Sequence, residues 1–452
     1  MTKGNQNKNS LTREERRNTI SFLLLSFYCG LGNISDLSIT YYLKDNLKIE
    51  PSEMTLILTL NRIPWSFNIF FSSLIDFFPF FGFSKKFYIL LCGFINSTVW
   101  LILSFIKKDN LNLTILCIFL SSFTNSFCSV LGHSIILELI SDKKKLKSQT
   151  LHSYNIIVND FGILISSFLQ CFLVQYFKIK TVFFITSFLP IFVIISGLFL
   201  IENSSRNDIS CISDNENDNI TFIQFIFQKK ILIPLIIVFI VFISPNFYET
   251  FFYFSVDVLN FSPSDFGIIA IGKTITNLFL IYIYNLIPNV EKYTKSIIIF
   301  GRFLYLFFSE IFYFVYRRIN LQYGINDFYS VLIISSFQYA IGQCLKIPVL
   351  HIGTLLSNKH FGKRIFTIFV FIMNLGFTVS SFFSSGLTIY FGIKRNDYWY
   401  LGSMIDYCLF YGIIFLIPLI FIPSNYLNPS KKNKKNKENE KEEELIEVIC
   451  EN

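Results

Sequence analysis

Apolar residues in this chain gather into long runs with few charges, at about 19–42, 53–76, 87–106, 112–138, 151–175 and 181–201. A second set follows at about 231–255, 264–286, 296–316, 328–356, 363–390 and 400–422. Each run approaches or exceeds the roughly 20 apolar residues that a helix needs to cross the hydrocarbon core of a bilayer. The pattern therefore predicts an all-α integral membrane protein with twelve transmembrane helices in two six-helix halves, 19–201 and 231–422. Residues 202–230, rich in Asn, Asp and Ser, read as a flexible linker because they cannot bury a core. Residues 1–18 read as an N-terminal tail and 423–452 as a disordered charged C-terminal tail.

The two halves share an internal repeat. Tyr41, Tyr42, Asp45, Leu47, Ile49, Pro51, Ser52 and Glu53 recur as Tyr253, Phe254, Asp257, Leu259, Phe261, Pro263, Ser264 and Asp265, each displaced by 212 residues. Each copy is an aromatic helix end, a short loop and a Pro-Ser-acid start. Proline suits the first helical turn, and the carboxylate suits its positive end. Helices one and two thus correspond to helices seven and eight. Parallel six-helix halves are the layout of major facilitator transporters, whose substrate site lies near mid-membrane.

Composition narrows the class further. Of 452 residues, 52% are apolar and 15% charged, against about 25% charged in soluble domains, which argues against one soluble domain. The net charge of +8 follows the loops. With the N-terminus inside, 25 Lys and Arg fall in the linker, tails and loops on that side and 10 on the other. The positive-inside rule then puts both termini and the linker in the cytoplasm, and no nucleic-acid partner is expected. Arg13, Arg16 and Arg17 precede a run too long for a signal peptide, so the first helix reads as an uncleaved insertion signal. The nine cysteines form no CxxC pair and read as reduced packing residues. The 56 phenylalanines fit an AT-biased genome and say little about aromatic recognition.

Ionisable groups within spans are costly, and so are functional candidates by default. The acids considered are Asp36, Glu138, Asp160, Glu249 and Glu310; the bases are Arg62, Lys273, Arg302 and Lys346. Mutual ion pairing is the alternative for each. Asp36 lies among small and polar neighbours, and Glu249 falls one place from the equivalent repeat position, which makes them the leading pair of cavity carboxylates. Asp36, Asp160 and Glu249 are the proton-coupling candidates. Arg62 precedes Pro64 and Lys346 precedes Pro348, and a cation beside a proline break is a plausible anion site. Glu138 and Arg302 read as close to the cytoplasmic interface. There is no P-loop, GxSxG or HExxH motif, so no enzyme activity, cofactor or metal site is expected. A channel would need rings of like groups in a symmetric oligomer, whereas the repeat favours a two-lobed monomer.

The segment YYLKDNLKIEPSE, followed by RIPWSFNIFFSSLIDFFPFFGFSKKFYILL, resembles the folate/biopterin transporter family of the major facilitator superfamily. SPNFYETFFYFSVDVLNFSPSDFG and IPVLHIGTLLSNKHFGKRIFTIFVFIMNLGFTVSS extend the resemblance over most of the chain. Carried over are Asp45, Pro64, Trp65, Asp76, Gly82 and Pro263 as conformational-motif residues, with Asn374 and Gly376 near the end of the match. The resemblance implies a secondary transporter of folate- or biopterin-type pterins, working by alternating access. With no ATP-binding motif, proton symport is the expected drive, and the membrane is the plasma membrane or that of an organelle. For such a solute the site would be drawn from Asp36, Tyr42, Arg62, Asn68, Glu138, Glu249, Phe252, Tyr253, Lys273 and Lys346. Cations would meet the carboxylates, an acid the pterin edge, and aromatic residues its ring. A nucleoside-like or methyl-donor substrate is the alternative.

Departures from the family pattern alter the expectation. Asn68 and Ile69 stand where the family has Lys-Pro, and Ser129 and His133 stand where it has two aspartates ahead of the glutamate at Glu138. Losing a helix-two lysine predicts a preference for a neutral pterin over folate, unless Lys273, Lys346 or Arg62 takes over the anion.

Overall fold

The computed structural model describes residues 13–78, 83, 85–106, 110–141, 148–202, 226–287, 293–356 and 362–423. Residues 203–225 of the expected linker, 424–452 of the C-terminal tail and 1–12 of the N-terminal tail lie outside the described residues. Every regular element among the described residues is helical. Ten helices among them are long and apolar enough to cross a membrane.

The second and seventh runs are not among those ten, and each contains a break. The second consists of Pro51–Arg62, a 3-10 turn at Ile63–Phe67 and Asn68–Phe77. The seventh consists of Lys229–Phe242 and Tyr248–Asp257, with no helix at 243–247. Pro64 and Pro245 sit in the two breaks. Proline lacks an amide hydrogen, and its ring collides with the carbonyl four residues back.

Large apolar side chains lie outside as well as inside: Phe94 and Phe300 are 65% and 63% exposed. On a soluble protein such a surface would drive association. On a membrane protein it is the surface that lipid covers. Because lipid is as apolar as the helices, close packing and polar bonds must hold them together.

The chain forms two compact units, Met1–Lys48 with Phe70–Asn215 and Ile49–Ile69 with Glu216–Asn452. In the first, Phe22, Leu25, Tyr28, Ile89, Phe127 and Leu131 belong to one buried cluster. Gly30 and Gly162 allow their helices to touch at the backbone; a Cβ on Gly30 would stand 2.1 Å from the Asn159 carbonyl oxygen. Asn96 donates to the Tyr28 hydroxyl and to Asn125 Oδ1 (2.8 Å), while Ser121 donates to Asn96 Oδ1 (2.9 Å). These bonds tie three apolar helices together. In the second unit Val238, Val241, Phe242, Val349, Ile352 and Phe369 form the corresponding core. Gly376 there permits close approach, since a Cβ would meet the Phe242 Cβ at 3.1 Å.

The 212-residue repeat is also a repeat of backbone conformation. Lys48 and Asn260 both take left-handed backbone, with φ of 54° and 56°. The Leu47 amide donates to the Tyr42 carbonyl, and the Leu259 amide to the Phe254 carbonyl, each spanning five residues. Glu50 and Glu53 form a reciprocal capping box ahead of the second run, and Ser262 and Asp265 form one ahead of the eighth. The 3-10 turn Gly32–Ser35 interrupts the first run at the positions that correspond to 244–247 in the seventh.

Candidate functional site

The break in the seventh span exposes backbone groups, and the eleventh span satisfies them. Ser380 Oγ donates to the Ser244 carbonyl (2.5 Å), and Ser384 Oγ accepts from the Asn246 amide (2.8 Å). Asn246 Oδ1 in turn accepts from the Tyr248 amide (3.4 Å), and Thr250 bonds to Thr388 (3.2 Å). A broken helix at membrane depth survives only where neighbours supply such bonds. Ser380, Ser384 and Thr388 recur every fourth residue, so they occupy one face of their helix.

An adjacent face of the eleventh span reads the second. Asn374 Nδ2 donates to the Trp65 carbonyl (2.7 Å), Thr378 bonds to Ser66 (3.3 Å), and Ser385 donates to the Ser52 carbonyl (3.0 Å). Arg62 Nη1 donates to Ser381 Oγ (2.6 Å). Its Nη2 stands 3.8 Å from Glu249 Oε1, in the first turn of the resumed seventh helix. Glu249 is 11% exposed and Arg62 42%, which makes this a partly desolvated pair.

Other expected residues of this unit lie around the same helices. Tyr253 is fully buried, and its hydroxyl donates to the Ile49 carbonyl (2.6 Å). Phe252 packs on Phe266, centroids 4.8 Å apart. Pro64 and Asn68 are buried, and Trp65 is half-buried. Pro263 opens the eighth span at its first position. Lys273 is half-buried in the middle of that span, and among the described residues it forms no ion pair. Lys346 lies with Nζ 5.3 Å from the Phe377 ring centroid. Outside the spans, Tyr398 donates to Asp257 (2.5 Å); burial first, and that bond second, push its phenol above the ordinary range.

Arg302, expected close to the cytoplasmic interface, is buried within the protein. It sits within Thr294–Tyr316, 6% exposed, with its guanidinium carbon 4.8 Å from the Tyr305 ring centroid. The Tyr305 and Tyr248 hydroxyls bond to each other. Tyr248 and Tyr305 were missed because tyrosines are common in this chain and only folding pairs these two. Asp406, inside Leu401–Phe421, is a further span acid, and it interacts with Glu310. It was legible in the sequence.

In the first unit Asp36 opens the short helix after the 3-10 break and is exposed. Tyr42 is buried with its ring 5.6 Å from that of Phe183. Asp160 is buried, and Asp45 is half exposed beside Lys44 (3.8 Å). His133 Nδ1 bonds to the Ser129 carbonyl (2.7 Å), so the two departures in the fourth span contact each other. Gly82 and the side chains of Asp76 and Glu138 lie outside the described residues.

These features define a multi-pass membrane protein of the major facilitator type. The structure is similar to that of the nucleoside transporter NupG, with a TM-score of 0.64 and 12% identity, covering 89% of this chain and 99% of that one. It is also similar to a D-xylose-proton symporter, with a TM-score of 0.62 and 11% identity, covering 90% of this chain and 96% of that one. The BT1 family matches residues 29–444, and the chain belongs to that family. Folate transporter 1 of Plasmodium falciparum (isolate 3D7) is 28% identical over 423 residues, 92% of this chain and 81% of the relative. The folate-biopterin transporter of Synechocystis sp. is 22% identical over 403 residues, 89% of this chain and 80% of the relative.

Proposed function

We propose that the protein is a secondary transporter that moves folate- or biopterin-type pterins by alternating access. Similarity to relatives named for folate and biopterin supports the substrate class. The observation that carries the reading is the set of cations in the spans of the second unit. Arg62 already holds Glu249, while Lys273 and Arg302 form no ion pair among the described residues, and Lys346 lies over a ring. A solute with carboxylates supplies what Lys273 and Arg302 need in a medium of low dielectric constant. This supports folate over a neutral pterin, with Lys273, Lys346 and Arg62 replacing the lysine lost at Asn68.

In this reading Asp36, Glu138 and Glu249 meet the pterin edge or a coupling proton, and Asp160 is a further coupling candidate. Tyr42, Phe252 and Tyr253 support the ring, and the conformational-motif residues Asp45, Asp76 and Gly82 act in switching. The protein works as a monomer in the plasma membrane, with both termini and the linker in the cytoplasm, and performs no covalent step. Uptake into proteoliposomes of labelled folate, biopterin, nucleosides and a methyl donor, each with competition by unlabelled folate, tests the reading. Uptake of a nucleoside or methyl donor that folate does not compete would replace it.

A further inference from the structure

The interior of the second unit holds a basic residue that forms no ion pair among the described residues. Arg302 is 6% exposed, its Nη2 is buried without a hydrogen-bond partner, and it enters no ion pair among the described residues. Neighbouring positions on its helix pack against apolar side chains or small residues of other helices. Gly301 packs on Leu345, and Leu306, one turn on, fills the space above Gly412. The face of the Tyr305 ring, 4.8 Å away, is its one favourable electrostatic contact of known geometry. A ring face offsets only part of the cost of desolvating a guanidinium.

The ring beside the guanidinium is fastened to the broken seventh span. The Tyr305 hydroxyl bonds to that of Tyr248, the first residue of the helix that resumes after the Pro245 break. The break also holds Ser244 Oγ, buried without a partner among the described residues. Tyr305 lies within electrostatic reach of both Arg302 and Arg62, so the ring stands near two guanidiniums, one of them already held by Glu249. A helix with a gap in its hydrogen-bond ladder can pivot there without breaking further bonds of its own.

We propose that Arg302 is a latent anion-binding group, shielded by the Tyr248–Tyr305 latch and exposed to a carboxylate of the transported solute when the seventh span pivots at 243–247. The inference rests on the transport reading for the identity of the solute, but the latch does not. Opening the latch exchanges a ring contact for a charge-assisted bond, so solute binding and movement of the seventh span favour each other. A neutral pterin gains nothing from that exchange.

The test uses the full-length purified protein in proteoliposomes, with folate and biopterin uptake measured in parallel and phenylglyoxal modification of Arg302 followed by peptide mass spectrometry. Arg302→Gln should raise the half-saturating folate concentration about tenfold to a hundredfold and leave biopterin within about twofold. Arg302→Lys should recover part of the loss. Tyr248→Phe keeps the ring and removes the latch bond, so Arg302 should be modified faster, with folate protecting it. An unchanged folate-to-biopterin ratio in Arg302→Gln, or an unchanged modification rate in Tyr248→Phe, overturns the proposal. If Arg302→Gln does not fold, the Tyr248→Phe rate and its protection by folate decide the matter. Should the unaltered protein take up neither pterin, the substrate reading fails, and the modification rate still decides the latch.

Discussion

Lys48 and Asn260 stand 212 residues apart and share a left-handed backbone, φ 54° and 56°, at the same point in two copies of one loop. An L-residue other than glycine adopts this conformation at a cost of about 1 to 2 kcal/mol, less for asparagine. Lys48 is exposed, so its side chain offers little packing in return. Lys48→Gly should hold or raise the melting temperature in detergent, and Lys48→Val should lower it. Equal melting of the two variants would show that this loop relaxes out of the left-handed region.

The crossing of Gly30 with Gly162 leaves no room for a methyl group. A Cβ on Gly30 would lie 2.1 Å from the Asn159 carbonyl oxygen and 2.8 Å from the Ile163 amide nitrogen, and backbone atoms cannot step aside. Gly30→Ala should abolish a monodisperse peak in detergent. Gly386→Ala, which would meet nothing within 4 Å, should leave that peak intact and serves as the control.

The Arg62–Glu249 pair bears on coupling. If Glu249 or Asp36 carries a proton, its amide variant should lose accumulation driven by a pH gradient while keeping exchange of substrate across the membrane. Retention of gradient-driven uptake in both Glu249→Gln and Asp36→Asn would remove these two residues from the coupling path. Arg62→Gln should be the more damaging single change to stability, since it strands a largely buried carboxylate, a loss of about 3 to 5 kcal/mol for a fully buried pair and less for one this exposed.

With Asn68 and Ile69 in place of the family's Lys-Pro, the second span has no proline at that point. A helix break is present nonetheless, because Pro64 supplies it in the turn Ile63–Phe67, and Ile69 packs against the core of the second unit. Because Lys273, Lys346 and Arg62 already meet the anion in the reading above, Asn68→Lys alone should leave the ratio of half-saturating concentrations for folate and biopterin within about twofold. A tenfold shift toward folate would mean that those cations do not replace the lost lysine.

The match between carried-over residues and contacts shows where the sequence was legible. Trp65 and Asn374 were both singled out by family resemblance, and their link is a hydrogen bond from the Asn374 side chain to the Trp65 carbonyl. The serines of the eleventh span were not singled out, although Ser380, Ser381, Ser384 and Ser385 supply much of the polar contact to the second and seventh spans. In sequence they are ordinary polar residues in an apolar run. Their value depends on which backbone groups the breaks expose.

The sequence alone determined the helical class, the positions of the runs and the repeat. Those follow from local rules: apolar length against bilayer thickness, prolines and carboxylates at helix starts, and turn chemistry that each copy of the loop carries within itself. Only the tertiary structure decided that Ile49–Ile69 clusters with the second unit, that Arg62 meets Glu249, and that Arg302 lies buried beneath Tyr305. Charge, unlike hydrophobicity, has no periodic signature. Whether a basic residue is paired, lipid-facing or waiting for an anion depends on groups hundreds of residues away in the chain and a few ångströms away in space.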